Sequence, residues 1–233
     1  MSVRLNKYLA ERKIASRREA DVLIAEGKVL VNGKKAVIGQ KIEEDDVVRL
    51  SPDATKAKTY LAYYKGRGII SHSPGQGEVD VATRLKKDFG LKDIYPVGRL
   101  DKDSEGLLIV TNDGLVTGEL LEPGNEHEKE YEVDVDKPVT GRFLKNLAEG
   151  VRIEGYLTKP ALTAPKGEKR FRIVLTEGKK HQIRRMCAAL GWQVKTLKRV
   201  RIANIMLGQL KPNQYRKITG SELEKFLKEL SLK

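Results

Sequence analysis

Residues 98–114 constrain the fold more than any other stretch, because they join a carboxylate-bearing loop to an apolar run. The segment reads Gly-Arg-Leu-Asp-Lys-Asp-Ser-Glu-Gly, continues with the apolar residues 107–110 and closes with Thr-Asn-Asp-Gly. A short apolar run between turn-forming residues is typical of a strand buried on both faces. Asp101 therefore precedes a buried strand, and we expect the scaffold to fix its position.

The rest of the chain alternates strand and helix patterns. The strand candidates are 60–65, 107–111, 129–136, 170–176 and 193–207. The helix candidates are 79–87, 115–121, 141–149, 181–190 and 220–231, the last opening with a capping box made by Thr219 and Glu222. Strand runs follow one another with few helices between them, which favours an α+β fold with a mainly antiparallel central sheet flanked by helices.

The first fifty residues predict a compact unit of their own. Ser16 and Glu19 have the spacing of a capping box, which starts a helix that Gly27 can end. A strand at 29–31 and a tight Asn-Gly turn follow, and a second strand is expected at 47–50.

A polar stretch at 51–59 carries a proline and lacks periodicity, so we interpret it as a linker. The length of 233 residues allows one or two domains with real cores. We therefore expect two domains: 1–58, which includes the linker, and 59–233.

The charge of the chain predicts a phosphate-rich partner. Lys and Arg exceed Asp and Glu by 13, an excess typical of nucleic-acid binding, although a basic protein on an anionic membrane also fits. Residues 178–221 contain eleven Lys and Arg and no acid. An ordinary solvated face mixes both signs, so we interpret this stretch as a binding surface.

Several other classes of protein are disfavoured. The single cysteine, Cys187, excludes an internal disulfide and fits a buried structural thiol in a reducing compartment. The N-terminus lacks the apolar core of a signal peptide, and no run is long enough to span a bilayer, so we expect a cytoplasmic protein.

Motifs for metals and nucleotide cofactors are also missing. The three histidines, His72, His127 and His181, lack the spacing of metal ligands. Residues 101–106 imitate the start of a calcium loop, but its twelfth position is Asn112 where a bidentate Glu is needed. No phosphate loop or dinucleotide fingerprint occurs, so we expect neither a cofactor nor a metal.

Two motifs make the chain resemble the RNA pseudouridine synthases. Gly98-Arg99-Leu100-Asp101, with Ser104, Gly106-Leu107-Leu108 and Thr111-Asn112-Asp113-Gly114, resembles their catalytic signature. Glu177-Gly178-Lys179-Lys180-His181-Gln182-Ile183-Arg184-Arg185-Met186 resembles their later helix motif, and Lys129-Glu130-Tyr131 lies between the two. The N-terminal unit resembles the S4 RNA-binding domain through Arg4-Leu5-Asn6-Lys7-Tyr8-Leu9, Ser16-Arg17-Arg18-Glu19-Ala20 and Val29-Leu30-Val31-Asn32-Gly33.

The resemblance implies an isomerase of ribosomal RNA. Such an enzyme breaks the bond between uracil nitrogen and ribose, turns the base and rejoins it through carbon, which requires no cofactor. The branch acting on small- and large-subunit rRNA is the best match, and we expect a monomer that modifies one uridine of large-subunit rRNA. The alternatives are the same chemistry on small-subunit rRNA or tRNA, and a non-catalytic RNA-binding factor of ribosome assembly.

The resemblance also implies roles for three catalytic residues. Asp101 would be the catalytic carboxylate, and Asp103 is its weaker rival because its neighbours suggest exposure to solvent. Tyr131 would stack on the extruded base, or else pack in the core as an ordinary strand tyrosine. Arg184 would pair with Asp101 and keep it ionised, or else contact RNA phosphate.

Further residues are implied in binding. Those expected to contact the substrate are Arg99, Leu100, Gln182, Arg185 and Leu197, of which Arg99 can instead brace its loop and Leu197 can be strand core. Those expected to dock RNA on the N-terminal unit are Arg4, Lys7, Arg17 and Arg18. Arg17 and Arg18 oppose the dipole of the helix they begin, which is easier to understand if phosphates approach there.

Overall fold

The computed structural model describes residues 2–54 and 57–232, so Thr55 and Lys56 of the predicted linker lie outside the described residues. The N-terminal unit contains helices α1 (Leu5–Glu11) and α2 (Arg17–Ala25) and strands β1 (Val3–Arg4), β2 (Val29–Val31), β3 (Lys34–Lys35), β4 (Lys41–Ile42) and β5 (Val48–Leu50). Strands β3, β2 and β5 form one antiparallel sheet, and β1 pairs with β4. Side chains from both helices and from β2 build its core.

The local signals of this unit form as predicted. Ser16 and Glu19 make the capping box, with the Ser16 N–H 2.9 Å from the Glu19 carboxylate and the Glu19 N–H 3.4 Å from the Ser16 hydroxyl. Asn32 and Gly33 both have positive φ, as a two-residue hairpin turn requires. These features depend on contacts between near neighbours, which explains why the sequence predicts them.

The rest of the chain builds one nine-stranded sheet and a small hairpin. Its strands are β6 (Tyr60–Lys65), β7 (Tyr95–Val97), β8 (Glu105–Thr111), β9 (Lys129–Val135), β10 (Arg152–Ile153), β11 (Tyr156–Leu157), β12 (Leu162–Gly167), β13 (Arg170–Leu175), β14 (Val194–Ile202), β15 (Ile205–Met206) and β16 (Tyr215–Lys217). The main order is β12-β13-β9-β14-β8-β6-β16, with β7 beside β8, β15 beside β14, and β10 paired with β11. Within the described sheet only β8 and β14 run parallel, so the predicted α+β fold with a mainly antiparallel sheet is confirmed.

Five helices flank this sheet: α3 (Val81–Phe89), α4 (Gly114–Leu121), α5 (Gly141–Glu149), α6 (Gln182–Ala189) and α7 (Gly220–Glu229). Helices α3, α5 and α6 contribute to the core on one face of the sheet, and α4 and α7 contribute to the core on the other. Strand β8 alternates between the two cores and is buried on both faces, as its apolar run predicts.

Three predictions about elements need correction. The capping box at the last helix is wrong, since the Thr219 side chain makes no cap hydrogen bond and both Glu222 oxygens accept from Arg216 at 2.6 and 2.7 Å. The strand predicted at 193–207 is two strands, β14 and its short partner β15. The short strands β1, β4, β7, β10, β11, β12 and β16 were not predicted, because elements of two to six residues carry little periodicity.

Candidate active site

The loop that carries Asp101 connects β7 to β8 and is held by hydrogen bonds to a buried serine. The Ser71 hydroxyl lies 2.9 Å from both the N–H and the carbonyl oxygen of Leu100. His72 Nε2 lies 3.2 Å from the Gly98 carbonyl oxygen. Because Leu100 is itself buried, these contacts fix the backbone directly before Asp101, whose side chain stays about a third exposed.

A buried lysine fixes the other side of the same loop. Lys65, at the end of β6, is fully buried and donates to the carbonyl oxygens of Ser104 at 2.7 Å and Gly66 at 3.0 Å. Burial lowers the pKa of Lys65 to about 8, although the nearby Asp101 and Asp103 oppose that shift. Sequence reasoning missed Lys65, and its only signal was a charged residue at the end of an apolar strand.

The Arg199 side chain of β14 supports the loop by binding backbone carbonyl oxygens. The guanidinium is buried and donates from Nε to the Leu107 carbonyl oxygen at 2.8 Å and from Nη1 to the Arg99 carbonyl oxygen at 3.4 Å. Its Nη2 is buried without a hydrogen-bond partner in the described part of the chain. The Arg99 side chain, by contrast, is exposed.

Only some of the cations in the acid-free stretch 178–221 therefore belong to an exposed binding surface. Arg199 is buried, Arg201 pairs with Glu128 and Glu130, and Arg216 pairs with Glu222. Strand pairing brings Glu128 and Glu130 from another part of the chain, whereas Glu222 directly follows the stretch. The exposed cations of this stretch are Lys179, Lys180, Lys195, Lys211 and Lys217.

Asp101 pairs with a histidine and not with the predicted arginine. His181 Nε2 lies 3.3 Å from Asp101 Oδ1, and His181 directly precedes α6 in a left-handed conformation with φ of +51°. Arg184 instead donates from Nη1 to the Val194 carbonyl oxygen at 3.3 Å, and its Nη2 is buried without a partner among the described residues. The predicted contact between Arg184 and Asp101 is absent, because the backbone at the start of β14 binds the guanidinium.

Tyr131 and Leu197 lie on the core face of the sheet beside Arg199. Tyr131 of β9 is paired with Arg199, and the next pair on the same face is Val133 with Leu197. Both predicted residues are buried, Tyr131 at 9% and Leu197 at 6% exposure. The Tyr131 hydroxyl makes no hydrogen bond to any residue in the described ranges, so its polar end is available.

Gln182 and Arg185 lie at the start of α6 and bind the segment that precedes it. The buried Gln182 amide accepts from the Lys179 N–H at 2.9 Å and donates to Glu177 at 2.6 Å. Arg185 donates to the Lys180 carbonyl oxygen at 3.0 Å and pairs with Glu154. These contacts hold the loop that presents His181, and direct substrate binding by Gln182 and Arg185 stays a prediction.

The cations predicted to dock RNA are all exposed on the N-terminal unit. Arg4, Arg17 and Arg18 form no ion pair with the residues described, whereas Lys7 pairs with Glu11 at 3.4 Å. These three exposed guanidinium groups are accessible to phosphate.

Other sequence predictions concern chemistry outside this loop. Cys187 is buried, as predicted, and burial raises its pKa to about 12. Within residues 2–54 and 57–232, no three His, Cys, Asp or Glu side chains gather as a metal site. The same ranges contain no helix with the length and apolarity needed to cross a membrane.

Comparison with known proteins gives matches over both parts of the chain. The model of the RNA pseudouridylate synthase family matches residues 59–189, and the S4 domain model matches residues 3–48. The dual-specificity RNA pseudouridine synthase RluF of Escherichia coli K12 is 42% identical over 95% of this chain and 77% of its own length. The ribosomal large subunit pseudouridine synthase B of Bacillus subtilis is 35% identical over 95% and 94%, respectively.

A solved structure agrees with these matches. A crystal structure of a pseudouridylate synthase superposes with a TM-score of 0.71 at 28% identity and covers 96% of this chain and 99% of its own. Residues 124–131 and 201–204 carry a specific likeness to large-subunit pseudouridine synthase F, and the identity to RluF agrees with it. The branch predicted from the two motifs is confirmed.

Proposed function

Because the chain belongs to the RNA pseudouridylate synthase family and is an isomerase acting on RNA, we propose that it converts one uridine of large-subunit ribosomal RNA to pseudouridine. The name of the Bacillus subtilis relative supports the large subunit as the substrate. We place this reaction in the cytoplasm, with a monomer as the active form.

The observation that carries the proposal is the anchoring of the Asp101 loop. Ser71, Lys65 and Arg199 bind the backbone on both sides of Asp101, while its carboxylate remains accessible. A rigid loop with an accessible carboxylate is what a nucleophile needs, because misplacement by about 1 Å can slow a reaction about 100-fold. An ordinary surface aspartate does not require three buried anchors.

The reaction moves one ribose bond from nitrogen to carbon. Asp101 either forms a covalent adduct with the substrate or assists formation of a ribose-derived intermediate as the bond between uracil N1 and C1′ breaks. The base turns, its C5 joins C1′, and the proton on C5 is released while N1 gains one. Atoms and electrons balance without a redox step.

The uridine must leave its stack to reach Asp101. In this proposal the Tyr131 ring stacks on the extruded base, and its free hydroxyl helps to move the proton from C5. Leu197 contributes to the apolar wall of the pocket on the same face of the sheet. The unpartnered Nη2 of Arg184 is a buried donor that RNA or the Asp101 carboxylate can satisfy.

Binding of the RNA is shared between the two parts of the chain. Arg99 contacts the backbone that flanks the extruded nucleotide, and Leu100 lines the pocket through its place beside Asp101. Gln182 and Arg185 act through the loop before α6. The N-terminal unit docks RNA through its exposed cations Arg4, Lys7, Arg17 and Arg18.

Two alternatives predict different substrates or none. The same chemistry could act on small-subunit rRNA or tRNA, and the name of RluF, a dual-specificity enzyme, makes a second substrate worth testing. The protein could also be a ribosome-assembly factor that only binds RNA.

Transcripts labelled with tritium at uridine C5 separate these functions. We expect release of tritium from large-subunit rRNA. Release from another RNA alone would identify that RNA as the substrate instead. Asp101→Asn should abolish release and leave RNA affinity within about 2-fold, whereas Asp103→Asn, at an exposed neighbouring carboxylate, should remain active. An active Asp101→Asn variant would contradict the role of Asp101, and no release from any RNA would favour the binding factor.

A further inference from the structure

We propose that His181 is the positioning residue of Asp101: it holds the carboxylate in one orientation before RNA binds. This inference rests on the proposed function of Asp101 as the nucleophile. The contact joins His181 Nε2 to Asp101 Oδ1 over 3.3 Å.

His181 is the only side chain in the described part of the chain that pairs with the Asp101 carboxylate. A partly exposed aspartate otherwise samples several staggered rotamers in water. The contact with the His181 imidazole favours the rotamer that turns the carboxylate toward α6. The backbone anchors of the loop cannot do this, because they place the Cα of Asp101 and leave its side chain free to rotate.

The segment before His181 is held by hydrogen bonds to neighbouring segments. Glu177 accepts from the Lys159 N–H at 3.0 Å and from the Gln182 amide at 2.6 Å, and the Tyr156 hydroxyl also bonds it. The Lys179 N–H donates to Gln182, which closes the loop before His181. Both partners of the contact therefore stand on loops that are tied to the rest of the fold.

Helix α6 supplies a second donor that the free protein leaves unused. Arg184 lies three residues after His181, in the first turn of α6. Arg184 Nη2 has no partner among the residues described. The structure thus divides two tasks between them: His181 orients Asp101, and Arg184 keeps a donor for the RNA complex.

In this proposal, the positioning role needs an N–H group beside the carboxylate and does not need a charge. Neutral imidazole with its proton on Nε2 donates to a carboxylate, as imidazolium also does. A glutamine side chain carries an N–H at similar reach, whereas alanine carries none. Alanine and glutamine both carry a Cβ, so the positive φ at position 181 should affect the two variants equally.

The test compares His181→Ala with His181→Gln in the tritium-release assay on the full-length protein. Loss of orientation should lower kcat about 10- to 100-fold in His181→Ala with KM within about 2-fold, and His181→Gln should recover activity to within about 3-fold of wild type. A raised KM with unchanged kcat would show that His181 contacts RNA instead. Equal activity of both variants and the wild type would also overturn the proposal.

A spectroscopic measurement separates this inference from the proposed function. The imidazole ¹⁵N signals of His181 in the RNA-free protein should shift in Asp101→Asn and remain unchanged in Asp103→Asn. No shift in Asp101→Asn would overturn the contact even if the wild type is active. An inactive wild type in the tritium assay would reject the proposed function, and the positioning role with it, even if the ¹⁵N shift demonstrates the contact.

Discussion

Gly106 and Arg199 lie side by side in the parallel pair of β8 and β14, so closely that a Cβ at position 106 would stand 2.2 Å from the Arg199 carbonyl oxygen. The φ of Gly106 is +111°, a conformation that L side chains rarely adopt. Only glycine at this position lets β14 approach, and this approach brings the Arg199 guanidinium under the Asp101 loop. Gly106 thus serves packing and site geometry together.

Gly106→Ala should therefore destabilise the protein and reduce activity. We expect a loss of about 3 kcal/mol or more in the free energy of unfolding, from backbone strain and the clash with β14. Gly118→Ala is the matched control, because Gly118 lies in α4 with nothing within 4 Å of its added Cβ. It should stabilise by about 0.5–1 kcal/mol. Urea unfolding measures both, and similar effects of the two substitutions would refute the close-approach argument.

Ser71→Ala tests the anchor directly before Asp101. The substitution leaves the buried N–H and carbonyl of Leu100 without their partner, which should cost about 1–3 kcal/mol of stability. The loosened loop should also lower kcat about 10-fold, with KM little changed. Ser73→Ala, at an exposed position two residues away, should leave thermal unfolding and kcat unchanged. A fully active Ser71→Ala enzyme would mean that Lys65 and Arg199 hold the loop alone.

Lys65 predicts a pH dependence of stability with a defined sign. Its pKa is about 8 in the fold against an ordinary 10.5, so between these values the unfolded chain binds a proton that the folded chain lacks. The free energy of unfolding then rises with pH across this window. We expect the difference between wild type and Lys65→Met to rise in favour of wild type from pH 8 to pH 10.

Urea unfolding at several pH values measures this difference. Lys225→Met is the control, because Lys225 is exposed on α7 and its difference from wild type should be flat over the same range. A difference that stays flat or falls with pH for Lys65→Met would show that the lysine keeps an ordinary pKa when buried.

The docking role of the N-terminal unit predicts a change in salt dependence. Replacing both Arg17 and Arg18 by alanine removes two exposed cations that form no ion pair with any described residue. RNA affinity should fall, and the slope of log K against log salt should decrease in magnitude by about 1.4–1.8, since each phosphate contact contributes about 0.7–0.9. Lys145→Ala, at an exposed lysine of α5 paired with Glu149, should leave the slope unchanged. An unaltered slope in the double variant would place RNA docking elsewhere.

Local patterns allowed much of the fold to be predicted. The helix at 141–149 and the strand at 60–65 have the predicted bounds, and Ser16 caps α2 as its spacing requires. Each of these signals depends on residues within a few positions of each other. The capping box predicted at Thr219 and Glu222 does not form, because Arg216 binds Glu222 instead. A capping rule considers only the residues of the box and does not include such a competitor.

The sequence by itself determined the class of protein, the α+β architecture and the loop that carries Asp101, because these follow from motifs and periodicity along the chain. Only the tertiary structure decided what surrounds that carboxylate. Lys65 and Ser71 reach the loop from about 30 to 40 positions away, and Arg199 bonds Leu107 from 92 positions away. His181 occupies the place at Asp101 that resemblance assigned to Arg184. Such contacts depend on strand order and on competition between donors, which exist only once the chain has folded.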